Sequence, residues 1–316
     1  MPYGLTGELI FSEISKILLV TNLSNSPAAL LSVMLILAGI GFKISVVPFH
    51  SWAPDTYEGS PLPVTAYLSV SSKATGFVAL MIILTKVFPD SGSSWGIILV
   101  IISALTMFIG NLSALQQSNP VRLLAYSSIA QAGFILAPLA VAGITGDYAD
   151  GIYASVTYLI IYAFMNLGAF LVVNVLINTS GSNNIYEWGG LAKHQPLTSV
   201  FATVFFFSLA GIPPLGGWFA KFVVFRSLLS TGEVYGVALA IIGAINAVIG
   251  LVFYARISKI IWMDSPSENI TVNTKPTLLG PLKVVGFISL VITFLAGIFP
   301  NIFSNLGNAS ALFFNS

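Results

Sequence analysis

Eight long apolar stretches constrain the fold of this 316-residue chain more than any other feature. A helix needs about 20 apolar residues to cross the hydrocarbon core of a bilayer. Only 7% of the residues are charged, against about 25% in soluble domains. The sequence therefore predicts an all-α integral membrane protein with about eight transmembrane helices. The predicted spans cover approximately residues 28–47, 63–88, 94–116, 121–143, 152–178, 197–230, 234–262 and 281–300.

Two of these spans contain proline-rich motifs that predict breaks. GFKISVVPFH (41–50) ends the first span, and GIPPLGG (211–217) interrupts the sixth. Proline removes a backbone N–H donor and leaves a carbonyl without its helical partner. We therefore expect two broken helices. Residues 1–27 are predicted not to span, because 8–23 is short and charged, and the tail 303–316 is predicted to lie outside the core.

The composition excludes several kinds of chemistry. The chain has no cysteine and two histidines, His50 and His194. Disulfides, thiolate catalysis and iron–sulfur clusters are thereby excluded. We expect no metal site and no cofactor in this chain. A net charge of +1 does not provide the basic surface that nucleic acids require, so we expect no nucleic-acid partner.

Three lysines lie within predicted spans: Lys43, Lys73 and Lys221. A lysine in mid-membrane is unfavourable by about 2.5–3.5 kcal/mol and marks a functional site by default. A proton or ion pathway is the favoured interpretation, and structural salt bridges are the alternative. All 11 acidic residues fall in loops or near helix ends. A charge partner for the lysines is therefore expected from another subunit, or from residues absent from this sequence.

Further polar residues lie on helical faces near the lysines. One helical stripe consists of Ser155, Tyr158, Tyr162 and Asn166. Ser127 and Gln131 are spaced i, i+4, and Asn246 lies in mid-span. Such residues either line a hydrated path or form hydrogen bonds between helices. Two loop residues, His50 and Asp55, either admit protons or fix their loop.

Three motifs resemble one family in the same order along the chain. GFKISVVPFHSWAPDTYEGSPLPVTAYLSVSSKATGF (41–77), QQSNPVRLLAYSSIAQAGFI (116–135) and SLAGIPPLGGWFAKF (208–222) are similar to segments of the antiporter-like membrane subunits of respiratory complex I. The segment PDTYEGSPLPV (54–64) resembles the corresponding segment in the branch of the family that contains bacterial subunit N, mitochondrial subunit 2 and their chloroplast counterpart. The sister subunits L and M and the Mrp antiporter subunits usually have a different sequence in this segment.

The resemblance implies a fold of fourteen helices with two inverted five-helix repeats, each containing a broken helix. The eight spans correspond to the last eight helices, so the first six, with the family's intramembrane glutamate, are expected from a partner chain. The implied organisation is a non-spanning segment 1–27, the last two helices of a first repeat (28–88), a complete second repeat (94–262), a cytoplasmic loop (263–280) and a final helix with tail (281–316).

The resemblance also implies residue roles. Lys43, Lys73 and Lys221 match the proton-relay lysines. Independently of the resemblance, the helical spacing of Tyr162 and Asn166 makes them candidates for a supporting polar path, and His50 is a candidate proton entry by its position in the loop. Gln131 stands where many relatives have a histidine. Glutamine forms hydrogen bonds but carries no proton, so its expected role is to orient water.

The function predicted from this resemblance is that of a proton-translocating subunit of a NADH:quinone oxidoreductase. Electron transfer would take place in partner subunits of a complex I-type assembly, in a bacterial plasma membrane. A cation/proton antiporter subunit of the Mrp type and a non-pumping scaffold fragment remain alternatives.

The distribution of basic residues predicts that the first inter-helix loop is cytoplasmic. Six basic residues lie on its side and three on the other. The six are Arg122, Lys193, Arg256, Lys259, Lys275 and Lys283, and the three are Lys16, Lys86 and Arg226.

Overall fold

A computed structural model describes residues 2–265 and 280–315, and within these ranges the secondary structure is entirely helical. The first helices are α1 (Pro2–Thr6), α2 (Phe11–Val20), α3 (Pro27–Ile44), α4 (Trp52–Gly59), α5 (Leu62–Tyr67) and α6 (Lys73–Lys86). They are followed by α7 (Gly92–Leu115), α8 (Pro120–Thr145), α9 (Tyr148–Ser180), α10 (Leu191–His194) and α11 (Pro196–Ala210). The last are α12 (Gly216–Ser230), α13 (Val234–Met263), α14 (Gly280–Ile298) and α15 (Asn301–Asn315).

Two of the long helices, α3 and α8, begin at residues whose side chains satisfy the first N–H groups. Ser26 accepts a hydrogen bond from the N–H of Ala29 at 3.2 Å, and Pro27 occupies the first helical position of α3. Asn119 caps α8 by accepting from the N–H of Val121 at 2.8 Å. Both starts follow the preference for a polar cap followed by proline. These local signals are why the helix starts could be predicted within a few residues.

Among the residues that the structure describes, six helical segments are long and apolar enough to cross a membrane, with α5 and α6 counted as one segment, and a seventh span results if the bent pair α14–α15 counts as one. The pair bends by 88°. The sixth predicted stretch is two helices of 15 residues each, α11 and α12, separated at 211–215. The all-α membrane fold with broken helices is confirmed. The ten-residue α2 is too short to span, as expected for the N-terminal segment.

Helix α8 lies at the centre of the bundle, and most of its 26 residues are buried. It packs closely on α7 because glycines leave room for the neighbouring backbone. A Cβ on Gly110 would lie 2.5 Å from the backbone nitrogen of Ala130, and one on Gly133 would lie 2.7 Å from Met107 Cγ. Small residues allow this close approach in membrane bundles. The side chains of α8 therefore contact several helices at once.

The structure differs from the sequence-based expectation at two places. The first span ends at Ile44 and not at residue 47, because Ser45 adopts a left-handed conformation with φ 59°. The exclusion of the tail 303–316 from the core is wrong: α15 packs on α9, where Phe303 is buried and Gly307 contacts Tyr153. Lys275 and most of the predicted loop 263–280 lie outside the described residues.

Candidate functional site

Lys73 is a buried lysine at the start of α6, directly after a π-helical turn over Leu68–Ser72. Its side chain is 1% exposed. Its Nζ donates to the carbonyl oxygen of Ser128 at 2.8 Å and to the Ser128 hydroxyl at 2.6 Å. The π-helix is a local irregularity that often marks functional sites. A single serine of α8 thus supplies both hydrogen-bond acceptors of this ammonium.

Lys221 is a second buried lysine, on α12, and it contacts the end of α11. Its Nζ donates to the carbonyl oxygens of Ala210 at 2.5 Å and Leu209 at 3.1 Å. It also lies 5.1 Å from the ring centre of Phe134. The last carbonyls of a helix carry partial negative charge. The broken helix therefore provides an electrostatic partner for Lys221 without a carboxylate.

Neither buried lysine forms an ion pair in the part of the chain that the structure describes. The ion pairs found there are Arg122–Asp55, Arg122–Glu58, Arg226–Asp150 and Lys259–Asp264. All four involve side chains that are partly exposed. A charged ammonium buried without a counter-ion is unfavourable. The charge on each lysine is therefore sensitive to any group brought close to it.

Helix α8 connects the surroundings of the two lysines. Ser128 and Gln131 are three residues apart, so their side chains lie on the same helical face. Gln131 Nε2 donates to the carbonyl oxygen of Leu209 at 3.1 Å, and Leu209 also accepts from Lys221. The Tyr158 hydroxyl donates to Gln131 Oε1. A buried line of polar groups therefore runs along α8 from one lysine towards the other.

Two of the predicted polar residues of α9 contact the π-helical turn. Tyr162 donates to the backbone oxygen of Ser69 at 3.3 Å, and Asn166 Nδ2 donates to the Ser69 hydroxyl at 2.9 Å. The Oδ1 atom of Asn166 is buried and lacks a hydrogen-bond partner among the described residues. These contacts hold the irregular turn that precedes Lys73.

Other members of the polar set form hydrogen bonds between helices. Ser155 donates to the carbonyl of Ile135 at 2.8 Å, and Asn111 Nδ2 donates to Asn246 Oδ1 at 3.0 Å. Ser127 bonds to the hydroxyl of Tyr254. For these residues the packing interpretation agrees with the structure.

Lys43 is placed differently from the other two lysines. It is the second-last residue of α3 and its side chain is exposed, so the prediction that it lies within a helix and not at its end is wrong. The physical reason is the early end of the helix at Ile44. Its stem still faces α6, since a Cβ on Gly76 would lie 3.5 Å from Lys43 Cγ. Gly76 is one turn after Lys73, so the stem of Lys43 packs against the same segment of α6 that carries Lys73.

His50 and Asp55 form no ion pair with each other in the part of the chain that the structure describes. Asp55 and Glu58 each lie 2.7 Å from Arg122, which fastens α4 to the start of α8. The loop-fixing interpretation therefore holds for Asp55. Nδ1 of His50 is buried without a hydrogen-bond partner in the described ranges. Burial lowers the pKa of His50, and the backbone of Pro48 opposes this shift.

Three contributors to the site were not predicted from the sequence. Ser128 was not singled out, although it follows Ser127 in the motif AYSSIAQ. The carbonyl of Leu209 has no sequence signature, because every residue has one. Gly211 ends α11 with φ 96°, and a Cβ there would lie 2.8 Å from Lys221 Cδ. Its position in the GIPPLGG break was the available signal.

Within the described ranges, no three His, Asp or Glu side chains lie together as a metal site. A bundle of membrane-length helices with broken segments, and with buried lysines that form no ion pair in the described ranges, defines a class of multi-pass membrane proteins that carry ionisable groups inside their helix bundle. More narrowly, the chain belongs to the NADH:quinone oxidoreductase/Mrp antiporter transmembrane family, whose profile matches residues 1–250. The predicted family is thereby confirmed.

Curated relatives agree with the predicted branch. NADH-quinone oxidoreductase subunit N of Moorella thermoacetica is 39% identical over 315 residues, covering 99% of this chain and 63% of the relative. NAD(P)H-quinone oxidoreductase subunit 2 of Trichormus variabilis is 37% identical over 316 residues, covering 98% and 59%. The chain therefore spans somewhat less than two thirds of the length of these relatives.

Solved structures show the same fold. A chain of respiratory complex I from Thermus thermophilus matches with a TM-score of 0.75 at 27% identity, covering 96% of this chain and 62% of that one. A chain of an archaeal membrane-bound sulfane sulfur reductase gives 0.82 at 26%, covering 98% and 61%. A chain of the Mrp complex from Dietzia sp. gives 0.82 at 23%, covering 98% and 63%, which shows the fold alone.

Proposed function

We propose that this chain is a proton-translocating membrane subunit of a NADH:quinone oxidoreductase of the complex I type. The observation that carries the proposal is the pair of buried lysines, Lys73 and Lys221, joined through α8 without any carboxylate. Intramembrane ionisable groups in such a line are typical of proton relays. The kinship to subunits N and 2 supports the choice of complex.

In the proposed relay a proton leaves the Lys73 ammonium and reaches the Lys221 amine through water held by the polar face of α8. Gln131 orients that water by donating and accepting hydrogen bonds, and it stays neutral throughout. The C-terminal carbonyls of α11 stabilise the charge once it arrives at Lys221. Lys43, exposed at the end of α3, and His50, in the loop that follows α3, would admit protons to this line.

The driving signal comes from outside this chain in our proposal. A carboxylate that approaches a buried lysine stabilises its charged form, and withdrawal of the carboxylate releases the proton. Other membrane subunits, or whichever chain carries the remaining third of the relatives' length, would supply it. Electron transfer would occur in partner subunits, with no cofactor held here, and the assembly would reside in a bacterial plasma membrane. Residues 94–262 would form the complete second repeat.

The proposal is tested with Lys73→Ala and Lys221→Ala in membrane vesicles energised with NADH. We expect each variant to lose most of its coupled proton uptake while the complex still assembles. Lys259→Ala is the matched control, because this exposed lysine lies at the end of α13. Normal proton stoichiometry in both buried-lysine variants would contradict the relay and favour the scaffold alternative. Sodium-dependent proton flux without NADH would favour the antiporter alternative.

A further inference from the structure

A groove on the outside of the bundle lies between the end of α9 and the starts of α11 and α14. Its volume is about 380 Å³. Its walls are apolar and include Leu171 and Val175 of α9, Phe201 of α11 and Phe287 of α14. Phe287 is 60% exposed. None of the residues of the lysine line contributes to this groove, so it is separate from the proposed relay.

One end of the groove is polar and cationic. Gln195, immediately before α11, and Lys283, in the first turn of α14, both line it. Exposed Lys193 and His194 precede Gln195 in α10. The groove lining, as far as the structure describes it, includes no aspartate or glutamate. The mouth is therefore a positively charged site at the membrane face where α9 ends.

The start of α11 adds to this positive potential. Gln195 forms no side-chain hydrogen bond to the first turn of the helix, and Pro196 follows it. The remaining first-turn N–H groups thus lack a side-chain acceptor and carry partial positive charge. Together with Lys283 they favour an anionic group at the mouth.

We propose that this groove binds an anionic phospholipid of the bilayer. The phosphate would contact Lys283 and Gln195, and one acyl chain would lie along the apolar walls. Charge complementarity selects this occupant, since basic pockets between membrane helices bind anionic head groups. The groove is apolar inside and cationic at its mouth. A lipid bound there would therefore have its acyl chain in the apolar part and its anionic head group at the cationic mouth.

Gly286 provides a way to fill the groove without disturbing the helices. It lines the groove, and a Cβ there would meet only Leu171 Cδ1, at 3.9 Å. An alanine therefore fits at ordinary van der Waals distance, while a leucine extends into the cavity. Gly286→Leu is the blocking variant and Gly286→Ala is its matched control.

The test is native mass spectrometry of the full chain, purified in detergent and titrated with phosphatidylglycerol or phosphatidylcholine. We expect the wild type to prefer phosphatidylglycerol. Lys283→Ala should lower its affinity for phosphatidylglycerol about fivefold, which corresponds to about 1 kcal/mol for one lysine at an anionic surface. Gly286→Leu should lower binding of both lipids. Gly286→Ala and Lys259→Ala should bind as the wild type does.

Several results would overturn the proposal. Equal phosphatidylglycerol affinity in the wild type and Lys283→Ala would show that Lys283 does not contact the head group. Undiminished lipid binding to Gly286→Leu would show that the lipid does not bind in the groove. A photo-crosslinking amino acid at position 287 provides a measurement in the intact assembly that does not depend on either variant folding. Transfer of the label to lipid supports the proposal, and transfer to another protein subunit would show that the groove is a subunit contact.

Discussion

Gln131 and Lys221 donate hydrogen bonds to the same oxygen atom, the backbone carbonyl of Leu209, each at 3.1 Å. Leu209 is the second-last residue of α11, where the helix breaks. A helix interior would occupy this carbonyl with a backbone N–H four residues later. The break releases it, and two side chains from different helices converge on it. The broken helix therefore joins the polar face of α8 to the lysine of α12.

Replacement of Gln131 by leucine is expected to interrupt this junction. The variant loses the donor to Leu209 and leaves the buried Tyr158 hydroxyl without its acceptor. An unpaired buried polar group costs about 1–3 kcal/mol. We expect proton flux in energised vesicles to fall severalfold and the thermal midpoint to decrease.

Gln117→Leu is the control for that variant, because the Gln117 side chain donates to the carbonyl of Ser113 within one helix turn and forms no other hydrogen bond in the described ranges. Gln131→His should retain flux, since an imidazole can still donate to Leu209 and can accept from Tyr158. Equal flux in Gln131→Leu and Gln117→Leu would show that the junction has no part in proton movement.

Ser128→Ala is expected to slow the relay at Lys73. The ammonium keeps the Ser128 carbonyl at 2.8 Å but loses the hydroxyl at 2.6 Å. A hydrogen bond to a charged group contributes about 1.5–3 kcal/mol, so its loss makes protonation of Lys73 less favourable, and we expect the proton flux to fall by roughly tenfold or more. Acidification of membrane vesicles energised with NADH measures this proton flux. Ser103→Ala removes a comparable buried serine bond, to the carbonyl of Gly133, and should leave the rate unchanged.

Gly211→Ala separates backbone strain from contact with Lys221. Gly211 has φ 96°, and a Cβ would lie 2.8 Å from Lys221 Cδ and 3.3 Å from its Nζ. Gly146 also ends a helix in the left-handed region, with φ 79°, but a Cβ there meets nothing within 4 Å. An alanine in this region costs about 1–2 kcal/mol. Both variants should unfold at lower temperature, and only Gly211→Ala should lose proton flux. Loss of proton flux in both variants would show that backbone strain, and not contact with Lys221, causes the loss.

His50 is expected to make stability depend on pH. Burial lowers its folded-state pKa below the ordinary value of 6.5. The unfolded chain therefore binds more protons, and stability rises with pH. The destabilisation begins as pH falls below about 6.5 and is complete below the lowered folded-state pKa. Thermal unfolding from pH 8 to pH 5 should show a smaller acid loss in His50→Gln, whereas His194→Gln, at an exposed site, should follow the wild type. Parallel pH curves for His50→Gln and the wild type would contradict this assignment.

The bilayer made most of the fold predictable from sequence. A span must be apolar over about 20 residues, and each stretch predicted on that basis coincides with helix in the described ranges. Proline and glycine likewise identified both breaks. The ends of these elements were less certain: Lys43 was predicted within a span and not at its end, but α3 ends one residue beyond it. A left-handed serine at that end has no distinct sequence signal.

The sequence predicted which types of residue form the site, but it did not predict which of them contact one another. Unpaired lysines in apolar stretches are unfavourable enough to stand out in any sequence, which is how Lys73 and Lys221 were found. Tyr162 and Asn166 were expected to support a polar path, but their hydrogen-bond partner, Ser69 in the π-helical turn before Lys73, was not predicted. That turn follows from tertiary packing, because its sequence LSVSS is also compatible with a regular α-helix.

The sequence by itself determined that this chain is a helical membrane protein, where its helices break and that Lys73 and Lys221 lie within apolar helices. These properties depend on local composition, which the hydrophobic effect and the backbone's need for hydrogen bonds convert directly into spans and breaks. Only the tertiary structure decided that Ser128 and the Leu209 carbonyl are the partners of those lysines. Their contacts join residues 55 and 12 positions apart in the chain, and such pairings exist only once the helices have packed.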